Sequence, residues 1–465
     1  MYHSQCKDRV ALPVGLPPGP KIPALLQTLL IGFWPRRFQD YCVRHYGDCF
    51  TTWIPRLPPF VHFSNPEAIR TVFEADGDQV HAANRPLNLV LGENSLLILQ
   101  GERHARDRRL LGAALHGERM RRYCEMMIAE TDRAIDGWPL GRPFQIYPEM
   151  QQITLNVMMR AVFGDDPGPG LGQLRERLRE LLTIAAGTVW MVPWLRTIGG
   201  RFSLLARIRQ ARRMVDELLV ELLRRRRHNG TKGHEDILSL FIEAANENCC
   251  DLSEQEICDE MVTLLVAGHE TTAAALAWTI TRVHEYGEVL AAVKKELDEV
   301  LAAGEPEQSK LESLRYLDAT VRETLRLNPV VPDVGRLVSR PISIGGYELP
   351  AGVIVIPSID LTHRNPETWP EPAKFRPERF LERRPGPYEF FPFGGGIRRC
   401  IGMSFALFET KVVLARVLSR CDLRLAPGYR PRIKRRAITM APSRGAPAVM
   451  DRRRPIYNGG TTLAS

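Results

Sequence analysis

The spacing of hydrophobic residues predicts a mostly helical protein. Over residues 102–223, apolar positions recur at the intervals that place side chains on one face of a helix. Glycine and proline interrupt this pattern at residues 141–143, and a second break follows at residues 165–172. This part of the chain is therefore predicted to form consecutive helices joined by short loops.

A longer helix is predicted in the middle of the chain. Ser253 and Glu256 have the spacing of a capping box, in which each residue bonds a backbone N–H of the other where a helix begins. Apolar residues then recur at helical spacing to about His284. Two further helices are predicted, one over residues 314–327, which ends before a proline, and one over residues 401–418.

Short strands are predicted on both sides of this helical region. Residues 49–53 and 60–63 form two β-like pieces, and residues 342–344 and 347–356 flank Gly345-Gly346, a pair typical of a hairpin turn. We expect a mainly α protein with minor β-sheets, which is an α+β class. It should form a single domain over residues 1–465, with a proline-rich lead-in at 1–23 and an extended tail at 451–465.

The first apolar segment, residues 24–34, is too short to cross a membrane. It is bracketed by prolines, interrupted by Gln27 and well below the ~20 residues that a spanning helix needs. We predict a short helix packed onto the protein, and a helix resting on a membrane surface is the alternative. Residues 1–9 are polar and mixed in charge, unlike a secretory leader. We expect no transmembrane segment and a cytoplasmic location.

Composition and charge narrow the class further. The content of 44% hydrophobic and 25% charged residues is that of a soluble globular protein, and the 9 cysteines show neither disulfide nor zinc-site spacing. The net charge of +9 accompanies clustered arginines, which form either a solvated basic face or a docking face for an acidic partner. No nucleic-acid motif accompanies them, so we expect no nucleic-acid partner. The clustered arginines are Arg103, Arg106, Arg108, Arg109, Arg119, Arg121, Arg122, Arg398 and Arg399.

One cysteine stands where a thiolate would be stabilised. Cys400 follows three glycines, residues 394–396, and precedes the helix predicted over residues 401–418, so free N–H groups and the positive end of the helix dipole lie nearby. The glycines permit close approach of the backbone to a flat ligand, and Arg398 could reach an acidic group on its edge. These are the requirements of an iron–thiolate bond. A small core residue is the alternative for such a cysteine taken alone.

The segment around Cys400 resembles the cysteine loop of the cytochrome P450 family, whose pattern is Phe-x-x-Gly-x-Arg-x-Cys-x-Gly. The fixed positions are occupied by Phe393, Gly396, Arg398, Cys400 and Gly402. The resemblance implies the P450 fold, with heme b (iron protoporphyrin IX) between the long central helix and the cysteine loop. It also implies that Cys400 is the metal ligand and that Phe393, Gly394, Arg398 and Gly402 contact the cofactor.

The segment 267–272, Ala-Gly-His-Glu-Thr-Thr, is similar to the oxygen-activation motif of the same family. By that resemblance Glu270 and Thr271 are an acid–alcohol pair that relays protons, and Ala267 leaves room for dioxygen beside the helix and the heme. A kinked helix with small packing residues is the alternative for this motif alone. A zinc-protease motif is excluded, because the second histidine of His-Glu-x-x-His would fall at Ala273.

Two further sets of residues match the family. Glu323 and Arg326 resemble its buried Glu-x-x-Arg pair, which Arg379 would join from a proline-rich segment. Taken alone, this spacing is common in surface ion pairs, which stabilise a protein by only ~0.3 kcal/mol. His104 and Arg108 lie four residues apart and therefore share a helix face. Family members often have Trp-x-x-x-Arg there, so this chain departs from the pattern with a histidine that keeps an N–H donor. These two and Arg336 are expected to bind the heme propionates.

The resemblance implies a monooxygenase that inserts one oxygen atom of O2 into a small apolar substrate, using two electrons and two protons. The sequence shows no flavin or nicotinamide fingerprint, so the electrons are expected from a ferredoxin or flavodoxin with its reductase. We expect a monomer. A peroxygenase and an isomerase are the alternatives with the same site, and the acid–alcohol pair argues against both. A heme-binding sensor would need a second iron ligand or a signalling domain.

The substrate is expected to be a terpenoid, fatty acid, steroid or similar lipid, by analogy with bacterial family members. Core packing is the alternative role of the apolar residues that are expected to line its pocket. Those residues are Leu96, Leu97, Leu264, Ala267, Val330, Val331 and Val334.

Overall fold

A computed structural model of the chain contains two compact units. The first comprises the described residues up to Ala83 together with Asp333–Ser358, and the second comprises Asn84–Pro332 and the residues from Ile359 onward. The structure describes residues 15–115, 119–164, 170–186, 203–231, 233–247, 252–301 and 307–455.

Helices make up most of the described chain, as the hydrophobic pattern predicts. The helices are α1 (Ala24–Phe33), α2 (Pro35–Tyr46), α3 (Pro66–Glu74), α4 (Asn88–Leu91), α5 (Gly101–Ala114), α6 (Arg119–Gly137), α7 (Ile146–Phe163), α8 (Gly170–Ala185), α9 (Leu204–Asn229), α10 (Ile237–Glu247), α11 (Glu254–Glu285), α12 (Gly287–Leu301), α13 (Gln308–Glu312), α14 (Arg315–Leu327), α15 (Ile359–Thr362), α16 (Arg379–Glu382) and α17 (Met403–Arg420). The strands are β1 (Cys49–Thr52), β2 (Phe60–Phe63), β3 (Val80–Ala82), β4 (Pro143–Gln145), β5 (Arg336–Val338), β6 (Ile342–Ile344), β7 (Tyr347–Leu349), β8 (Ile354–Pro357), β9 (Cys421–Leu425), β10 (Ile433–Arg436), β11 (Thr439–Pro442) and β12 (Pro447–Arg453).

The sheets are small, which confirms the predicted class. In the first unit, five strands pair in the order β1-β2-β8-β5-β3, with β2 and β8 parallel and the other neighbours antiparallel. The second unit contains a sheet of order β4-β12-β9 and the pair β10–β11. Strand β12 includes residues 451–453, so the extended tail predicted from residue 451 can begin only after it, and residues 456–465 lie outside the described residues.

Helix α11 organises the second unit and begins with the predicted capping box. The Ser253 hydroxyl accepts from the Glu256 N–H (3.2 Å), and the Glu256 carboxylate accepts from the Ser253 N–H (3.0 Å). The helix packs against α7, α14 and α17, so most of its surface is buried. This packing gives a rigid frame for the motif at residues 267–272, since a helix buried on several sides cannot shift without disturbing each neighbour.

The predicted hairpin is correct in its first strand and too long in its second. Strands β6 and β7 pair across Gly345 and Gly346, which have φ values of 57° and 82°. The prediction that the second strand continues to residue 356 is wrong. Pro350 lacks a backbone N–H for the pairing, Gly352 turns the chain with a φ of 91°, and β8 then joins the five-stranded sheet.

Helix α1 forms where it was predicted and packs onto the protein, but it does so through its polar side chains. Its buried residues are Gln27 and Thr28, whereas Leu25 and Leu29 are about half exposed. The cause is the Gln27 side chain, whose amide donates to the Ile22 carbonyl at 2.9 Å and whose oxygen accepts from a main-chain N–H. No helix within the described ranges is long and apolar enough to span a bilayer.

Candidate active site

Cys400 lies in a tightly turned loop at the start of α17. Its N–H donates to the Phe393 carbonyl at 3.0 Å, which closes the loop. Gly394 and Gly396 have φ values of 70° and 66°, in the left-handed region that favours glycine. Gly402 is the residue at which α17 begins. The sulfur therefore lies beside the N-terminal end of a helix, as the sequence predicts.

The Cys400 thiol is accessible at its surface but surrounded by protein on most sides. Desolvation raises its pKa, whereas the Gly402 N–H and the guanidinium groups of Arg108 and Arg399 lower it. Accessibility together with strong desolvation is typical of the wall of an internal cavity. A metal cation bound to the sulfur would outweigh the desolvation, because a coordinating thiol is deprotonated outright. The donor set thus fits an iron–thiolate bond.

The middle of α11 carries an accessible strip within a buried helix. Residues 257–265 and 272–281 are all buried, whereas Ala267 between them is exposed and Gly268 and Thr271 are partly exposed. A Cβ added at Gly268 would lie 2.7 Å from the Met158 sulfur, so a larger residue there would require the Met158 side chain to move. The strip at Ala267 and the thiol of Cys400 are surfaces that a flat cofactor could cover. The residues present therefore fit a heme.

The two members of the predicted acid–alcohol pair are held differently. The Thr271 hydroxyl donates to the Ala267 carbonyl at 2.6 Å, within the accessible strip. Because the hydroxyl uses its hydrogen in that bond, its oxygen is left able to accept a hydrogen bond from water. Thr271 is thus placed at the strip, where a proton relay needs an alcohol.

Glu270 is anchored away from Thr271 by three side chains of other elements. Its carboxylate accepts from the Tyr147 hydroxyl (2.5 Å) and the Gln151 amide (2.6 Å) of α7, and Arg436 of β10 lies 3.3 Å away. Burial and the Glu270 charge raise the pKa of Tyr147, so its phenol stays protonated and donates. Neither Tyr147, Gln151 nor Arg436 was predicted from the sequence. The only signal was that Tyr147 and Gln151 lie one helical turn apart.

The predicted propionate-binding residues fall in both units. His104 is buried on α5, and Arg108, one turn later, donates to the Arg399 carbonyl at 2.6 Å beside Cys400. Arg398 donates to the carbonyls of Leu96 and Leu99. Arg336 belongs to the first unit, where it forms an ion pair with Asp76 at 3.0 Å. Its role toward a cofactor stays a prediction.

Glu323 and Arg326 form a wholly buried ion pair, as the resemblance implies. Arg326 donates to both Glu323 oxygens, at 2.7 and 2.8 Å, and Arg379 approaches the same carboxylate at 3.4 Å. The Arg376 N–H donates to it as well, at 2.9 Å. Neither charge of the central pair is exposed to solvent, so each depends on the other for compensation.

His363, which the sequence analysis missed, connects this pair to the cysteine loop. The His363 carbonyl accepts from Arg326 at 2.8 Å, and its ring nitrogen Nε2 accepts from the Phe391 N–H at 3.0 Å. Burial, aided by the Arg326 charge, lowers the pKa of His363 to about 3, so the ring is neutral and able to accept. The Phe391 carbonyl in turn accepts from the Gly394 N–H at 2.9 Å. A continuous set of contacts therefore runs from Arg326 to the loop of Cys400.

The residues predicted to line a substrate pocket differ in burial. Leu96, Leu264 and Val330 are buried in the main apolar core, which is the alternative that the sequence analysis left open. The partly exposed or exposed members are Leu97, Val331 and Ala267, while Val334 is a partly exposed residue of the first unit.

The buried carboxyl group of Glu409, on α17, is expected to make the stability of the protein depend on pH. Burial raises its pKa well above the ordinary value, which the neighbouring Thr272 hydroxyl only partly offsets. The unfolded chain ionises near pH 4.3, so above about that pH the folded state binds more protons and stability falls as pH rises. We expect Glu409→Gln to lessen this fall in stability by about 1.4 kcal/mol per pH unit, which is the contribution of one carboxyl. Urea unfolding between about pH 5 and pH 8 measures it.

Glu299→Gln is the control for this prediction, because the Glu299 side chain is 67% exposed. It should leave the pH dependence as it is in the parent protein. An equal slope in the parent protein and Glu409→Gln would show that the buried carboxyl is not the source.

Comparisons with known proteins agree with this geometry. The sequence model of the family "Cytochrome P450" matches residues 16–447. A putative cytochrome P450 135B1 of Mycobacterium tuberculosis is 36% identical over 443 residues, covering 93% of this chain and 91% of the relative. A putative cytochrome P450 138 of the same species is 33% identical over 442 residues, covering 95% of this chain and 97% of the relative.

Solved structures give the same result for the fold. The retinoic acid-bound cyanobacterial CYP120A1 superposes with a TM-score of 0.83 at 25% identity, covering 94% of this chain and 99% of that structure. The heme domain of cytochrome P450DA superposes with a TM-score of 0.81 at 24% identity, covering 94% of this chain and 98% of that structure.

Proposed function

The chain belongs to the cytochrome P450 family and is a monooxygenase with heme b as its cofactor, and we propose that its substrate is a small apolar lipid such as a terpenoid, fatty acid or steroid. The observation that supports a substrate site is the accessible strip at Ala267 and Thr271, which lies between the buried stretches 257–265 and 272–281 of α11. The bound retinoic acid of the similar CYP120A1 structure favours an apolar ligand of this kind.

We propose that Cys400 is the ligand to iron and that His104, Arg108, Arg336 and Arg398 serve the heme propionates. Bound heme would supply the activation of O2 and the oxidation of the substrate. The Gly402 N–H and the charges of Arg108 and Arg399 favour the thiolate and partly offset the desolvation, which raises the pKa of Cys400.

Proton supply is proposed to depend on Thr271 and Glu270. The Thr271 hydroxyl lies at the strip, where it can hold a water molecule by accepting one bond. Glu270 has both oxygens occupied by α7, so its side chain must rotate away from Tyr147 and Gln151 before it can pass a proton toward Thr271. Arg436 lies on the same side as Tyr147, 3.3 Å from the same carboxylate, and would have to release it as well.

Electrons are proposed to come from an acidic ferredoxin or flavodoxin that docks near Arg109 and Arg399. Both side chains are exposed, and Arg399 immediately precedes Cys400. The arginine-rich segment does not form one uniform face, because Arg106 pairs with Asp107 at 2.6 Å and Arg122 pairs with Glu235. Such partners are cytoplasmic, and we propose the same location for this chain. We also propose that it acts as a monomer.

The test of this function begins with a screen of terpenoids, fatty acids and steroids for a change in heme spin state. Hits are then incubated with a reductase, a ferredoxin or flavodoxin, and O2. We expect product only when both electrons and O2 are present. Product formed with hydrogen peroxide alone would indicate a peroxygenase. A rearranged product formed without electrons, O2 or peroxide would indicate an isomerase.

With a substrate in hand, Thr271→Ala is expected to lower product formed per electron consumed by about 10²-fold, because the hydroxyl for proton delivery is lost. Electrons would instead appear as hydrogen peroxide or excess water. Product, peroxide and cofactor oxidation are measured together. Thr271→Ser keeps the hydroxyl and is the matched control, expected to stay near the parent value. Equal coupling in Thr271→Ala and the parent would contradict this role.

A further inference from the structure

Helix α1 presents its apolar side chains to solvent and its polar side chains to the protein. The exposed fractions are 51% for Leu25, 45% for Leu26, 44% for Leu29, 64% for Phe33 and 52% for Trp34, which follows the helix. We call these five residues the α1 patch. In an ordinary surface helix the apolar stripe faces the core, so this order is reversed. A contiguous exposed apolar patch generally marks an interaction site.

The patch is continuous and its orientation is fixed. At 100° per residue, positions 25, 26, 29 and 33 fall within about 100° of one another around the helix. On the opposite side, the Gln27 amide donates to the carbonyls of Pro20 (3.2 Å) and Ile22 (2.9 Å). The Gln27 oxygen accepts from the Trp53 N–H at 2.9 Å. Turning the apolar face inward would break all three bonds, and both ends of the Gln27 amide would lose buried partners.

Basic residues flank the patch along the chain. Lys21 precedes α1, and Arg36, Arg37 and Arg44 lie on α2, which follows Trp34 directly. Within residues 15–47 the only acidic residue in the sequence is Asp40, so this segment carries a positive net charge. Lys21, Arg37 and Arg44 are exposed. An apolar strip bordered by cations is suited to a surface that offers acyl chains and negative headgroups together.

We propose that the α1 patch docks onto an anionic lipid bilayer, with α1 lying in the plane of the interface. Its length of 10 residues suits an interfacial helix and not a spanning one. The leucines and Phe33 would enter the acyl boundary, and Trp34 would lie at the headgroup level that indole rings favour. The cations named above would contact the lipid phosphates. This docking holds whatever substrate the enzyme uses.

Charge favours a bilayer over a second copy of the chain. A two-fold contact through α1 places the same surface on both partners, so two segments of positive net charge would face each other. Like charges opposed in this way disfavour the contact. An anionic membrane instead lets apolar burial and charge attraction act in the same direction.

The test is flotation of the heme-loaded full chain with vesicles of phosphatidylcholine alone and with one third phosphatidylglycerol. We expect binding to the anionic vesicles that weakens at high salt. The double variant Leu29→Ser/Phe33→Ser should lower the partition coefficient by about tenfold or more, and Arg37→Glu/Arg44→Glu should lower it on anionic vesicles. All four positions are exposed or half-buried, and the heme spectrum checks that each variant is folded.

Matched controls come from exposed residues outside the patch. Leu381→Ser (51% exposed) and Ile438→Ser (47% exposed) remove apolar surface, and Arg121→Glu (82% exposed side chain) reverses a charge. These controls should bind vesicles as the parent does. Any one of four outcomes would overturn the proposal. One is no flotation of the parent, and another is flotation lowered equally by the controls. The third is a concentration-dependent dimer that the α1 variants abolish, without vesicle binding. Binding only after removal of residues 1–14 would also overturn it for the full chain.

Discussion

Replacing Glu323 with alanine is expected to leave almost no heme-loaded protein. The substitution strands Arg326, whose side chain is 0% exposed, without its counter-charge. Breaking a buried pair in this way costs about 3–5 kcal/mol, which is a large part of the stability of a typical domain. The loss is expected to spread, because Arg326 also holds the His363 carbonyl and His363 holds the Phe391 N–H of the cysteine loop. Heme content per polypeptide and urea unfolding measure the effect.

The same helix provides a control for this prediction. Arg322 and Asp318 form an ion pair at 2.6 Å on α14, but their side chains are 38% and 27% exposed. Arg322→Ala is expected to cost only about 0.5 kcal/mol and to keep normal heme content. Glu323→Gln keeps acceptor capacity without charge and should fall between the two. Near-normal heme content in Glu323→Ala would show that the pair does not support the site.

Replacing Cys400 with serine is expected to abolish monooxygenase activity while the polypeptide keeps its fold. The backbone N–H of residue 400, and not its side chain, closes the loop onto the Phe393 carbonyl, so serine preserves that bond. A hydroxyl cannot supply the electron donation that a thiolate gives to iron. We expect product formation at the level of an enzyme-free mixture and a change in unfolding free energy within about 1 kcal/mol.

Cys49→Ser is the control, because Cys49 is a free thiol of strand β1 in the first unit. It is expected to keep parental turnover and spectrum. Product assays and urea unfolding on the two variants separate a chemical role from a structural one. Turnover retained in Cys400→Ser would contradict the assignment of Cys400.

Local spacing in the sequence predicted the parts of this protein that depend on local geometry. The capping box of α11, the Glu323–Arg326 pair and the turned loop before Cys400 each involve residues within one or two turns of one another. Over such distances backbone geometry fixes which side chains meet. The predicted class and most helix positions follow from the same periodicity.

Contacts between distant residues could not be predicted in this way. Tyr147 and Glu270 are 123 positions apart, and the helical pattern of each segment says nothing about which helix packs on which. The pairing of Arg336 with Asp76 belongs to the same class. Helix α1 shows a different limit: an apolar segment signals a helix, yet the buried face was decided by the hydrogen bonds of Gln27. Hydrophobicity alone therefore did not predict the burial of that helix.

The central claim is a bond between the Cys400 thiolate and heme iron, and the ultraviolet–visible spectrum of the reduced protein with carbon monoxide tests it most directly. We expect a strongly red-shifted Soret band that Cys400→Ser lacks and Cys49→Ser retains. A Soret band at the position typical of histidine-ligated heme in freshly purified parent protein, or a red-shifted band that persists in Cys400→Ser, would contradict the claim.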